Sequence, residues 1–256
     1  MHKEEYLKIL NDTFKDFKFF EYDHHYEYKG EKIGISVTKL IEEYSNEFDS
    51  DLIAPLVAKK RGISVKEVLE EWKYKNKFST SKGTTCHNYV QSLWNGEEYK
   101  YDEFDDSEEY KDAIKKIKQQ ADNFYKDYHD FIEHIADEFV IGSKEYDIAS
   151  AVDHLFRNKQ TNGLILMDYK TNSDIHKNEK YAKNMKAPLR HLKDTTLNHY
   201  ILQLSIYKYI IEKYSNLKIE NMFIVHMSEN NNYYDVIKVN YLKEEVEKIL
   251  NWRLYE

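Results

Sequence analysis

Four consecutive apolar residues running into an acid, Leu164-Ile165-Leu166-Met167-Asp168, constrain this chain more than any other feature. An apolar run of that length without alternation reads as a buried strand reaching its end. A strand apolar on successive residues needs cover, and the flanking sequence supplies helices to give it. Residues 1–20 read as a short helix carrying Tyr6, Phe14, Phe17 and Phe20. Residues 22–36 alternate aromatic and polar around Gly30, a hairpin pattern. Residues 37–48 start a helix with Ser36 or Thr38 as cap. Helical segments follow at 50–61, 65–76 and 84–95, and a long amphipathic helix at 109–134. Between the last two lies an acidic run, EEYKYDEFDDSEEY, a solvated surface loop.

The pattern changes at about 138. EFVIGSKEYDIASAVDHLFRN and GLILMDYKTNS read as three strands, with Asn162-Gly163 a two-residue turn between the last two. A polar, basic segment covers 172–196. A strong helix follows, with Leu202, Ile206, Tyr209 and Ile210 on one stripe. Two strands (NMFIVHM and YYDVIKVN) and a closing helix over 242–251 complete the chain. Helices first, then a strand meander, a helix, strands and a helix predict an α/β or α+β chain: a mixed sheet covered by helices.

Composition narrows the class. Two prolines and seven glycines in 256 residues argue against a many-turned all-β fold. Hydrophobic residues at 41% and charged residues at 33% mark a globular chain. The length suits one domain with a helical elaboration. A net charge of −8 is not that of a typical nucleic-acid binder, yet bound cations reverse a local field and basic patches can still dock. Cys86 is the one cysteine, so no disulfide forms within the chain and no cysteine-built zinc or iron–sulfur site is available. That fits a reducing, cytoplasmic setting. The first ten residues show no secretory signal pattern, and no stretch approaches 18 apolar residues, so a membrane span is not expected.

The chemistry concentrates at Asp153 and at Asp168-Tyr169-Lys170. The hairpin between their strands can set the two carboxylates side by side at adjacent strand ends. Such a pair repels unless a cation sits between them. Mg²⁺ takes hard oxygen ligands and keeps waters, leaving room for phosphate. Lys170 lies on the same strand face as Asp168, where an ammonium can hold an attacking water or a charged transition state. The Tyr169 carbonyl is a further candidate ligand. Taken alone, Asp-x-Lys also fits a surface ion pair.

Asp153, Asp168-Tyr169-Lys170-Thr171 and Gln203-x-x-x-Tyr207, with Gly83-Thr84-Thr85-Cys86-His87 upstream, together resemble the RecB-like branch of the PD-(D/E)XK nuclease superfamily. The likeness spans about residues 36–250 and includes the Ser36-Val37-Thr38 element of stand-alone phage-type nucleases and mitochondrial genome-maintenance exonucleases. It implies a restriction-endonuclease-like core over 136–256, a helical region over 36–135 carrying His87, and an N-terminal helix and hairpin over 1–35, in one nuclease domain. It implies Asp153, Asp168, Lys170, Gln203 and Tyr207 as catalytic residues. His87, Asp153, Asp168, the Tyr169 carbonyl and Glu138 would serve a Mg²⁺ or Mn²⁺ site, with His87 capped in its helix by Thr84 or Thr85. Gln203 would orient Lys170 or a metal-bound water, and Tyr207 would bond a phosphate or a catalytic carboxylate. Where the motif has glycine three residues before its aspartate, this chain has Ser150. No phosphate-binding Walker loop is present, so no nucleotide cofactor is expected.

Lys177, Lys180, Lys183, Lys186, Arg190 and Lys193 recur every three or four residues after the Asp168 strand and could track a DNA backbone, with Tyr181 and His191 stacking on bases. Lys59-Lys60-Arg61 with Lys73, Lys75, Lys77 and Lys82 form a second basic cluster. The resemblance implies that helices there wall a channel for single-stranded DNA, hence an exonuclease acting at free ends. An endonuclease or structure-specific nuclease would carry the same active site and stays open. An idle DNA-binding module would have no need of Asp153, Asp168, Lys170 and His87 together.

Overall fold

The computed structural model of the chain describes residues 1–99, 107–177 and 179–254. The apolar run at 164–167 lies in the middle of it. Strand β7 (Leu164–Lys170) runs between β6 (Ile148–Asn158), antiparallel to it, and β8 (Ile219–His226), parallel to it. The six-stranded mixed sheet continues on one side to β9 (Asp235–Lys238). On the other, β5 (Ile132–Ser143) and the short β4 (Ile35–Ser36) both pair with β6.

Both faces of β7 are covered, which is why the run does not alternate. Leu164 and Leu166 pack in a cluster with α1 (Lys3–Phe14), α2 (Val37–Glu43), α6 (Thr196–Ser215) and α7 (Lys243–Arg253). Ile165, Met167 and Tyr169 pack in a second cluster with α4 (Val65–Asn95) and α5 (Glu108–Tyr128). Helix α6 is the crossover that parallel β7 and β8 require. The first cluster draws on residues from Tyr6 to Leu250, so N-terminal and C-terminal segments share one core.

The cap at Ser36 is observed, its hydroxyl accepting from Lys39 N at 3.2 Å. The hairpin turns at Lys29-Gly30, both at positive φ, between β2 (His25–Tyr28) and β3 (Glu31–Lys32). Helix α3 (Ser50–Arg61) has its expected bounds. Several boundaries differ. The first helix stops at Phe14, and Phe17–Phe20 form β1, paired with β2 in a small separate sheet. The segments 65–76 and 84–95 are one helix, α4, so Thr84 and Thr85 cap nothing. Its cap is Ser64, and the Thr84 hydroxyl returns to the Thr80 carbonyl at 3.2 Å. Helix α5 ends at Tyr128 rather than 134, and β5 begins at Ile132. The β6–β7 connection is not a two-residue turn. It spans 159–163, organised by the Asn158 carboxamide oxygen, which accepts from Gln160 N and Thr161 N, with Asn162 alone at positive φ. Residues 100–106 of the acidic run lie outside the described residues.

Candidate metal and catalytic centre

Antiparallel pairing aligns His154 with Met167, and one further step of that register sets Asp153 opposite Asp168. The two acids therefore meet inside β6 and β7 rather than at the strand tips, since both strands continue past them. Each side chain alternates with its neighbours, so Asp168 follows Leu164 and Leu166 onto the α6 side. His87 comes from α4. One donor atom each from His87, Asp153 and Asp168 lies within 4.8 Å of the others, and His87 Nδ1 is 4.0 Å from Asp153 Oδ1.

The electrostatics suit a cation. Asp168 is fully buried. Lys170 Nζ stands 2.7 Å from its Oδ2, an ion pair inside the fold, and its Oδ1 has no hydrogen-bond partner among the described residues. Burial pushes the Asp168 acid up to about 6, with Asp153 adding to the rise and Lys170 opposing it. One ammonium serves two neighbouring carboxylates here, Asp168 and Asp153, and one buried Asp168 oxygen is left over, so the site has room for further positive charge. Burial pulls His87 down to about 4, leaving a neutral imidazole, while the Asp168 charge and, less, a backbone hydrogen bond with Tyr169 pull the other way. His87, Asp153 and Asp168 thus form a donor set that fits a divalent metal ion. Burial opposes the charge on Lys170, but Asp168 and Asp153 more than offset it and hold its pKa above the ordinary lysine value. Lys170 therefore stays an ammonium, a donor and positive charge rather than a base.

Gln203 and Tyr207 share a face of α6. Gln203 Nε2 donates to the Tyr207 hydroxyl at 2.7 Å, and that hydroxyl pairs with Ser150 Oγ at 2.9 Å. Gln203 is thus tied to Tyr207 rather than to Lys170, and Tyr207 to Ser150 rather than to a carboxylate. Tyr207 is buried; burial and then Asp153 push its phenol up, placing the hydroxyl in the field of the acids. The serine that departs from the motif is the residue that satisfies this tyrosine.

Glu138 lies within β5, not at its start. It is exposed, at positive φ, and outside the three-donor group. The Tyr169 side chain is buried and accepts from Trp94 Nε1 at 3.2 Å. A cleft of about 420 Å³ opens over the centre, lined by Ser79, Gly83, His87, Lys170, Lys177 and Tyr200 among others. Of the six basic residues after β7, Lys177 alone lines this cleft. The segment is turns, not a helix: Lys186 reaches Glu47 at 3.6 Å, Lys193 donates to the Ala182 carbonyl at 3.2 Å, and Lys180, Lys183 and Arg190 are exposed. His191 is paired with Glu245 at 2.8 Å, while Tyr181 is exposed. In the second basic cluster, Lys82 is buried and ion-paired with Glu229 at 2.7 Å, and Arg61 forks onto Glu71. Neither presents a free charge.

Two features were missed from sequence. Tyr200 lies under Lys170, whose Nζ is 4.4 Å from the ring centre, while its hydroxyl donates to Asn172 at 2.8 Å. Its position three residues before Gln203, on the same helical face, was the available signal. The other is a buried group of His134, Asp137 and His154 beneath the same strands.

No protein-family model matches the chain, and no curated protein matches it. Among solved structures it is similar to the crystal structure of a "Putative exonuclease" from Eubacterium rectale, at 13% identity and a TM-score of 0.43, over 68% of this chain and 64% of that one. This chain therefore spans about two thirds of that protein's length.

Proposed function

We propose that this chain is a divalent-cation-dependent nuclease of the RecB-like PD-(D/E)XK kind, which hydrolyses phosphodiester bonds from the free ends of single-stranded DNA in the cytoplasm. One observation carries the reading: His87, Asp153 and Asp168 converge within 4.8 Å, with the Lys170 ammonium 2.7 Å from Asp168, and His87 and Lys170 of this group line one cleft. His87, Asp153, Asp168 and the Tyr169 carbonyl would hold Mg²⁺ or Mn²⁺, with Glu138 outside the converging group of three donors. When bound, such an ion lowers the pKa of water and neutralises charge on the scissile phosphate. Lys170 holds a proton throughout, so it orients the attacking water or stabilises the phosphoryl oxygens as charge builds. Tyr200 supports its stem and head. Gln203, Tyr207 and Ser150 form a chain of hydrogen bonds that fixes the β6 backbone just before Asp153. Lys177 is placed to contact a phosphate of the entering strand, the other five basic residues forming its outer approach.

Our reading of a preference for ends rests on α4 walling one side of the cleft through Ser79, Gly83 and His87. We read residues 1–256 as a single unit, since one core joins both termini. The test is cleavage of end-labelled linear single strands beside the same strand closed into a circle, in Mg²⁺ or Mn²⁺ with a chelator control. Loss of the linear form alone is expected. Cutting of the circle would make the protein an endonuclease with this same centre. Asp168→Asn and Lys170→Ala should each abolish cleavage while DNA binding persists; unchanged turnover in either removes the centre assigned here.

A further inference from the structure

Directly beside the first donor set, and sharing no residue with it, lie His134, Asp137 and His154. His134 and Asp137 are three apart on β5, a spacing that would put them on opposite faces of a regular strand. The register shift between His134 and Ala136 cancels that difference. It sets His134 opposite Phe156 and Asp137 opposite His154, so all three side chains share one face. Their side chains are 7%, 7% and 3% exposed. His154 Nδ1 hydrogen-bonds Asp137 Oδ1 at 2.8 Å. His134 Nε2 lies 2.6 Å from the same oxygen. His134 Nδ1 and His154 Nε2 are buried with no hydrogen-bond partner among the described residues. The Phe156 ring lies 5.4 Å from that of His134 and the Tyr169 ring 4.8 Å from that of His154, an apolar cover that keeps bulk water off.

Two ring nitrogens without a partner, His134 Nδ1 and His154 Nε2, are costly in one dry pocket. A transition ion would take one nitrogen from each ring, because two imidazoles and one carboxylate are the donors that Zn²⁺-class ions take, whereas Mg²⁺ prefers oxygen alone. We propose that His134, Asp137 and His154 form a second, buried site for a Zn²⁺-class ion, distinct in donors and in metal preference from the His87–Asp153–Asp168 group. Asn95 Nδ2, 3.2 Å from Asp137 Oδ2, orients the carboxylate. The ion would pin β5 to β6 through the strand that also carries Asp153. This site stands whether or not the chain cleaves DNA.

The experiment is titration of the chelator-stripped full chain with Zn²⁺, followed by calorimetry, and with Co²⁺, followed by its visible d–d bands. Four proteins are compared: wild type, Asp168→Asn, Asp137→Asn and the double variant. Asp168→Asn should keep one equivalent of Zn²⁺, with the intense bands of a low-coordinate Co²⁺ ion. Asp137→Asn should lose that equivalent and those bands, and the double variant should bind neither ion. If Asp137→Asn fails to fold, the Asp168→Asn protein still decides the matter. Its melting temperature should rise with Zn²⁺ and not with Mg²⁺. An Asp168→Asn protein that binds no Zn²⁺, or an Asp137→Asn protein that binds as much as wild type, overturns the proposal and marks the trio as a hydrogen-bonded cluster.

Discussion

Asp168→Asn separates what this buried acid does for stability from what it does for chemistry. Asp168 is fully buried, and burial pushes its acid from 3.8 to about 6, against the pull of Lys170. One pKa unit corresponds to ~1.4 kcal/mol, so ionising Asp168 costs about 3 kcal/mol more in the folded chain than in the unfolded one. Because the folded value lies above the unfolded one, the associated stability is fully present below 3.8 and is lost as pH rises through about 6. At pH 7.5 the chelator-treated wild type bears nearly the whole cost, and at pH 5 about half of it. Asparagine has the same shape and never ionises. In chelator, Asp168→Asn should therefore be more stable than wild type by up to about 3 kcal/mol at pH 7.5, the gap falling to about half at pH 5. For a chain of this size each kcal/mol moves the melting temperature by about 2–4 °C. Urea titrations and thermal scans across pH 5–8 measure it. Adding Mg²⁺ should raise the wild type and leave the variant where it was. A variant less stable than wild type at pH 7.5 in chelator, or a gap that ignores pH, would show that Asp168 is not the strained acid described here.

Mn²⁺ affinity, followed by calorimetry, should weaken as pH falls through about 6, where protons compete at Asp168; a flat response from pH 5 to 7 contradicts this. Tyr207→Phe should cost about 1–3 kcal/mol in urea unfolding, because Ser150 and Gln203 both lose their partner inside the fold; an unchanged midpoint would show that the chain carries no stability. Glu229→Ala should destabilise more than Lys82→Met, since the first strands an ammonium that is 3% exposed, whereas the second leaves a carboxylate that is 23% exposed and can hydrate. Thermal scans rank the two, and equal losses would refute the asymmetry. Gly83→Ala should raise stability by about 0.5–1 kcal/mol, because Gly83 lies inside a helix without positive φ and an added Cβ would meet only Thr171 Oγ1 at 3.8 Å; destabilisation in the same scans would mean that the position is tighter than it looks.

The readable part of the fold was the part decided locally. The β7 run, the α6 stripe, the Ser36 cap and the turn at Lys29-Gly30 each follow from a few adjacent residues. Alternation along a hairpin was enough to pair Asp153 with Asp168, even though their place along the strands was misjudged. What failed was decided by distant partners. Ile132, Ile135 and Ala136 carry helical spacing, so 129–134 reads as the end of α5. Pairing with β6 makes it strand instead, and the bulge between His134 and Ala136 is what breaks the alternation. That bulge also hid the His134–Asp137–His154 group. Lysines were equally illegible: Lys82 and Lys177 look alike in sequence, yet one is buried against Glu229 and the other lines the cleft.

Helix α4 shows how the centre depends on such distant choices. Its middle, Ser79-Thr80-Ser81-Lys82-Gly83-Thr84-Thr85, is poor in helix formers and reads as a break. A break there would leave His87 one turn from a frayed helix start, free to swing away from Asp153. The chain holds this stretch helical from outside: Lys82 is tied to Glu229 at 2.7 Å, Thr85 meets the Tyr110 hydroxyl at 3.2 Å, and Cys86 packs in the cluster beneath Met167 and Tyr169. The small residues that weaken the helix are also those whose lack of bulk leaves a cleft along it, at Ser79 and Gly83. An Ala-rich or Leu-rich helix here would form more readily by itself, but longer side chains in place of these two would fill the space beside His87 and Lys170. Low local propensity, held in place by tertiary ties on either side of His87, is how one segment supplies both a fixed imidazole and an open path to it.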